Sequence, residues 1–261
     1  GWFVYLGYEL AGELEPSLAL AAPPEHTPTA VAMRCYGAVI VDHENARCAA
    51  LAEPGHEDGF EAMLGDLRGL GEPGSDADPL VFGAVDEDPP EHYLAGVETC
   101  KRYIRDGDVF QVNLSRAWSV EMQSTRTSGV LYQRLRHANP APFAALADFG
   151  DWSIISSSPE RLVQVRGDRV DTRPIAGTRP RGQDGDDDAR LSSELIGHPK
   201  ERAEHVMLID LERNDLGRIA DPGSIRVDEL MTIESYRHVH HIVSNVTARR
   251  SFPAAGRRDR A

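Results

Sequence analysis

FAALADFGDWSIISSSPERLVQVRGDRVDT, residues 143–172, breaks into four runs rich in apolar and β-branched residues, separated by Gly-Asp and Ser-Pro turns. Phe143–Phe149, Trp152–Ser157, Arg161–Arg166 and Arg169–Thr172 each have the length of a strand. Turns this short join antiparallel neighbours, because a parallel pair needs a crossover of a dozen residues or more. Such a run of strands, with single helices on either side, argues for an α+β fold rather than a doubly wound parallel sheet.

Towards the N-terminus, Trp2–Leu6, Val31–Tyr36 and Ala38–Val41 read as strands, and Pro16–Thr29, Pro/Ala-rich and without period, as a loop. Gly/Pro/Asp-rich stretches at 53–58 and 71–79 bracket a short helix at Phe60–Leu67. Pro89-Pro90 opens a helix over Glu91–Arg105, with Tyr93, Leu94, Val97 and Ile104 at helical spacing. Gly107-Asp108 ends it, Val109–Val120 follows as a long strand, and Ser128–His137 is helical. Towards the C-terminus, Asp184–Asp188 reads as an acidic loop. Leu191–Gly197 and Pro199–Leu216 read as helices, the second with Gly217 as its C-cap. Ser224–Leu230 and Val239–Val246 are strands, and no internal repeat is present.

The 261 residues are 41% hydrophobic and 27% charged, which describes a soluble globular chain. Asp and Glu number 42 against 28 Lys and Arg, a formal charge of −14. A surface that negative repels phosphate backbones, so nucleic acid is not an expected partner. An anionic substrate would need a local cluster of cations or a metal. Cys35, Cys48 and Cys100 are scattered and odd in number, as in a reduced cytoplasmic protein. No apolar run is long enough to span a bilayer and no signal-peptide pattern opens the chain, so no membrane partner is expected. The chain opens without Met, directly in a strand-like segment, which suggests a start further upstream.

Four constellations offer chemistry. Glu201 and Glu204, at i and i+3, emerge from one side of a helix, a donor pair suited to a hard divalent cation; by spacing alone the ordinary reading is a solvated charged face. Arg173–Gly182 (RPIAGTRPRG) combines a glycine, a hydroxyl and arginines that can hold a carboxylate, though an ordinary turn has the same composition. In Tyr236–Ser244, His238 and His240 share one strand face and His241 lies opposite, which suits one satisfied core histidine and two surface ones. Ser156–Glu160 is a polar turn ending in a carboxylate.

Taken in order, GYELAGELEP (7–16), GDVFQVNLS (107–115), SSSPERL (156–162), RPIAGTRPRG (173–182), KERAEHVMLIDLERNDLGRI (200–219), PGSIRV (222–227) and HHIVS (240–244) resemble the chorismate-binding family. That family holds anthranilate synthase component I, aminodeoxychorismate synthase component I, and the isochorismate and salicylate synthases. The resemblance implies a layered α/β sandwich around a large antiparallel sheet, and a need for Mg²⁺. It implies Glu204 as the metal-binding glutamate with Glu201 its companion, and Glu160 as the acid that helps the ring C4 hydroxyl leave. It places His241 beside the ring, and Ala176, Gly177 and Thr178 on the loop that holds a substrate carboxylate. His238 and His240 are left as structural.

Two positions divide the family. Water-using members carry a lysine base where this chain has Gln111; an amide cannot deprotonate water, whereas neutral ammonia is already a nucleophile. Aminodeoxychorismate synthases typically carry a lysine where this chain has Ala176, and anthranilate synthases an alanine. QVNLS (111–115), ANPAPFAAL (138–146) and VHHIVSNVTA (239–248) resemble aminodeoxychorismate synthase more closely. The expected activity is therefore Mg²⁺-dependent amination of chorismate to 4-amino-4-deoxychorismate for folate, with ammonia from a glutamine amidotransferase subunit. Anthranilate synthase component I is the alternative, and an inactive fragment with an interaction role the second. The resemblance gives a chorismate-binding domain over 1–248, truncated at both ends, and a basic non-family tail over 249–261, read as disordered or artefactual.

Overall fold

The structure, a computed structural model, describes residues 1–20, 23, 27–71, 80–122 and 128–250. Most of the 71–79 stretch, part of the 16–29 loop and the tail from residue 251 lie outside the described residues. The chain divides into two compact units, 1–79 with 150–152, and 80–149 with 153 onwards.

In the first unit β1 (Trp2–Leu6) pairs antiparallel with β2 (Ala30–Arg34), and the short α1 (Ala11–Leu14) follows β1. β3 (Gly37–Asp42) and β4 (Arg47–Ala52) form a hairpin on which α2 (Glu57–Gly69) packs. β4 went unread because RCAALA is alanine-rich. It is a strand through pairing with Val39–Val41 rather than through propensity.

The second unit runs β5 (Phe82–Glu87), α3 (Pro90–Asp106), β6 (Trp118–Met122), α4 (Ser128–Ala138), β7 (Phe143–Asp148), β8 (Ser153–Ser158), β9 (Arg161–Arg166), β10 (Arg169–Arg173), β11 (Ile175–Pro180), α5 (Gly185–Gly197), α6 (Pro199–Gly217), β12 (Arg226–Ser235) and β13 (Val239–Arg249). Every strand pair is antiparallel, as expected. β13 is the spine of a five-stranded sheet: β12 lies along one edge, β11 and then β10 along the other, and β9 beyond β10. α5 and α6 pack against β11 and β13. Val170, Ile209, Leu216, Val246 and Ala248 form the core between α6 and the sheet, and Leu195, Ile242 and Val243 are fully buried beside it. Each of the buried valine, leucine and isoleucine side chains stabilises the sandwich by about 1.5–3 kcal/mol.

Four local expectations are corrected. The long strand at 109–120 is a strand only from Trp118. Residues 109–117 run without a ladder and use their side chains in tertiary contacts instead: Leu114 lies against Gly96, where an added Cβ would meet it at 3.1 Å. The acidic stretch 184–188 is a helix start rather than a loop. Asp184 accepts the Asp187 N–H at 2.9 Å as an N-cap, and Asp186, Asp187 and Asp188 occupy the first turn, where the helix dipole favours negative charge. The stretch 173–182 contains strand β11, whose register against β13 shifts between Ile175 and Thr178. Gly217 is the last residue of α6, not its cap; the chain leaves through Arg218 in right-handed conformation, so no left-handed residue is required. At the C-terminal end β13 runs through Arg249, and the Arg250 N–H donates to the Asp168 carbonyl at 2.8 Å.

Candidate active site

The register shift in β11 is where the site is built. Gly177 lies there at φ 90°, a conformation that disfavours any side chain. A Cβ on it would stand 3.1 Å from Ile242 Cδ1, 3.2 Å from Leu195 Cδ1 and 3.3 Å from Glu201 Cβ. Glycine therefore serves both the bulge and the close approach of β11 to α6. Ala176 beside it is 7% exposed and faces the core. Thr178 resumes the ladder opposite His241, with Oγ1 and Nδ1 2.9 Å apart.

His241 is half-buried, and burial pushes its pKa below 6.5. A backbone hydrogen bond with Gly177 and the charges of Glu234 and Glu160 act in the other direction. Its two histidine neighbours have other partners. His240, 2% exposed, sits between Ser235 Oγ at 2.7 Å and Asp188 Oδ1 at 3.0 Å, while His238 Nε2 lies 2.6 Å from the Ala138 carbonyl oxygen. Glu160 is exposed and anchored: Oε1 accepts the Ile175 N–H at 3.0 Å, one residue from Ala176.

Glu201 and Glu204 point from one side of α6. Glu201 Oε1 accepts from Arg179 Nη1 at 3.2 Å, and Glu204 Oε1 accepts from Gln111 Nε2 at 2.7 Å. The donor chemistry fits Mg²⁺, a hard cation that uses one or two carboxylates and completes its shell with water and substrate oxygens. Among the described residues no group of three His, Cys, Asp or Glu side chains could hold a metal by itself, so such a cation would depend on other oxygens.

The structure thus brings Gln111 to Glu204, Glu201 to Gly177, Thr178 to His241, and Glu160 to the start of β11. It does not leave the arginines of 173–182 free for a carboxylate. Arg173 is paired with Glu229 and Glu234, Arg179 with Glu201, and Arg181 with Asp188. Sequence reasoning missed Glu234 and Tyr236 beside His241, and Glu212 on α6. Burial first, and then Asp215 and Glu160, push the Glu212 carboxyl up. A single strand-end Glu-Ser-Tyr carries no motif by itself. Only the register of β12 against β13 brings it to the site. A cavity of about 180 Å³ adjoins His241 and Tyr236, walled by Asn139, Pro140, Ser157 and His238.

Comparisons with known proteins converge on one family. The chain is 54% identical over 154 residues, 59% of its length and 32% of the relative's, to aminodeoxychorismate synthase component 1 of Bacillus subtilis. It is 38% identical to anthranilate synthase component 1 of Cereibacter sphaeroides over 94% of this chain and 52% of that one. The crystal structure of anthranilate synthase component I from Streptococcus pneumoniae superposes with a TM-score of 0.81 at 31% identity, covering 96% of this chain and 57% of that chain. The chain spans about half the length, or less, of the curated relatives it matches. The α+β fold with its antiparallel sheet is that of anthranilate synthase component I. Residues 1–253 match the chorismate binding enzymes, and the chain belongs to that family.

Proposed function

We propose that the protein aminates chorismate with ammonia in a Mg²⁺-dependent reaction, giving 4-amino-4-deoxychorismate. The observation that carries this reading is the Gln111 amide, which donates to Glu204 at 2.7 Å. The position that would have to supply a base for water holds instead a group with no basic nitrogen, already bound to a carboxylate. Ammonia needs no such base, because its neutral form is the nucleophile. Ammonia from a glutamine amidotransferase subunit is the supply that the family resemblance implies.

Glu201 and Glu204 would hold the Mg²⁺, which supplies positive charge against the oxyanions of a small dianion. Gln111 orients Glu204, and Arg179 orients Glu201. Glu160, fixed by the Ile175 N–H, is the group to protonate the departing ring hydroxyl. Thr178 and a largely neutral His241 offer hydrogen bonds beside the ring.

A specific observation favours a second reading, anthranilate synthase component I. Ala176 is 7% exposed and offers no amine beside the site, which removes covalent attack on the ring and leaves amination at C2 the simpler course. Product analysis separates the two. The protein completed to the length of its relatives, given chorismate, ammonium and Mg²⁺, is expected to yield 4-aminobenzoate once a lyase is added. Fluorescent anthranilate formed directly supports the second reading, and isochorismate overturns both.

A further inference from the structure

The face of the five-stranded sheet turned away from α6 carries a row of arginines at the far end of β13. From His241 to Arg249 the strand spans roughly 25 Å, at about 3.3 Å per residue. Arg166 on β9, Arg169 on β10 and Arg249 on β13 are successive cross-strand partners, so their side chains leave one face with neighbouring Cβ atoms about 5 Å apart. Arg226 on β12 joins them, because it lies opposite Thr247, which shares the face of Arg249. Val170, Val246 and Ala248 take the other face into the core. Like charges directly opposite one another destabilise a sheet, and the fold offsets only one member of this row. Arg169 is held by Asp171 at 2.7 Å and by Asp228 at 3.1 Å. Among the described residues Arg166, Arg226 and Arg249 form no ion pair.

A cavity of about 560 Å³ opens beside this row, lined by Asp168, Arg169, Ser224, Arg226, Thr247 and Arg249. One acid stands there against three guanidinium groups, in a chain whose formal charge is −14. The turn at its rim is fixed. Ser224 Oγ donates to the Asp221 carbonyl at 2.7 Å and accepts the Arg249 N–H at 3.1 Å. These bonds tie the start of β12 to the end of β13, the strands that carry Arg226 and Arg249. We propose that this cavity binds a small phosphate dianion, free or as a monoester, between Arg226 and Arg249. One guanidinium fork fills a carboxylate, whereas a tetrahedral oxyanion has oxygens for two forks arriving from different strands. The bound dianion offsets the repulsion along the row, so the uncompensated arginines and the cavity have one explanation. Its volume is in the range of small-molecule sites and leaves room for the organic part of a monoester.

Titration of the ¹⁵N-arginine-labelled chain with inorganic phosphate, read at the arginine Nε–H resonances, tests the site without chorismate. Saturable shifts are expected at Arg226 and Arg249, and sodium chloride at matched ionic strength should not reproduce them. Arg226→Gln and Arg249→Gln are each expected to weaken phosphate binding about tenfold or more, through loss of charge-assisted hydrogen bonds. Neither variant loses an ion pair, so each is expected to stay folded, and either serves if the other does not. Glycerol 3-phosphate, run alongside, separates the two sources: tighter binding than inorganic phosphate assigns a monoester, and weaker binding assigns free phosphate. Malonate, a dicarboxylate, is expected to bind more weakly than either. Shifts that follow ionic strength alone, equal binding of malonate, or unchanged phosphate affinity in either folded variant would overturn the proposal. A failure to bind phosphate leaves the chorismate reading untouched, and a failure to bind chorismate bears only on that reading.

Discussion

Gly177 shows at one residue how backbone and site are joined. Its φ of 90° and the three side-chain carbons within 3.1–3.3 Å of a would-be Cβ leave room for hydrogen alone. Gly177→Ala is expected to destabilise the chain by about 1–3 kcal/mol. Gly185→Ala at the start of α5, where nothing lies within 4 Å and φ is not positive, should be neutral or slightly stabilising. Urea denaturation of the two variants checks the contrast, and equal effects would remove the strain argument. The glycine, the hydroxyl beside it and the i, i+3 glutamates were all legible in the sequence, because spacing on a strand or helix fixes which side chains share a side. The fate of the arginines was not. Nothing local in RPIAGTRPRG tells that Arg173, Arg179 and Arg181 each meet a carboxylate more than five residues away in the chain.

Helix α6 couples the core to the site along its length, with Glu201 and Glu204 at one end and Ile209 and Leu216 in the core. Between them His205 is fully buried, with Nε2 2.8 Å from Ser244 Oγ, and burial holds its pKa below 6.5. His241 on β13 is shifted the same way. The sign follows from linkage. Near pH 6.5 and below, the unfolded chain binds protons that the native chain refuses, so this stability is present above 6.5 and lost as pH falls towards the native values. The expected slope approaches about 1.4 kcal/mol per pH unit for each histidine that stays neutral when folded. Urea melts at pH 7.5, 6.5 and 5.5 test it, and stability that is flat or rising over that descent contradicts it. The stability contributed by Asp188, which Arg181 holds below the usual carboxylate range, is fully present above pH 3.8 and is lost only below it. At this scale the helices and the two hairpins β7–β8 and β9–β10 were readable from the sequence, but not that β8 and β9 stay unpaired with each other and the hairpins fall in separate sheets. The segment 109–117 was not, because its alternating pattern finds no neighbouring strand and its Gln111 is drawn to Glu204 instead.

Across the whole molecule, a chain with formal charge −14 presents two acids, Glu201 and Glu204, at the place where the proposed function puts a dianionic substrate. Coulomb repulsion there is unfavourable unless a divalent cation stands between, so substrate and Mg²⁺ should bind as a linked pair. The fold class and the family were legible because seven ordered segments carry them. The choice between C4 and C2 amination was not, because Ala176 and the framework segments 111–115, 138–146 and 239–248 point to different branches. Isothermal titration of the folded chain with chorismate, with and without Mg²⁺ and repeated with Glu204→Gln, is the most direct measurement. The predicted result is saturable heat that requires Mg²⁺ and disappears in Glu204→Gln, whose amide keeps the volume but not the charge that a hard cation needs. No heat at millimolar chorismate, or the same binding without Mg²⁺, would contradict it.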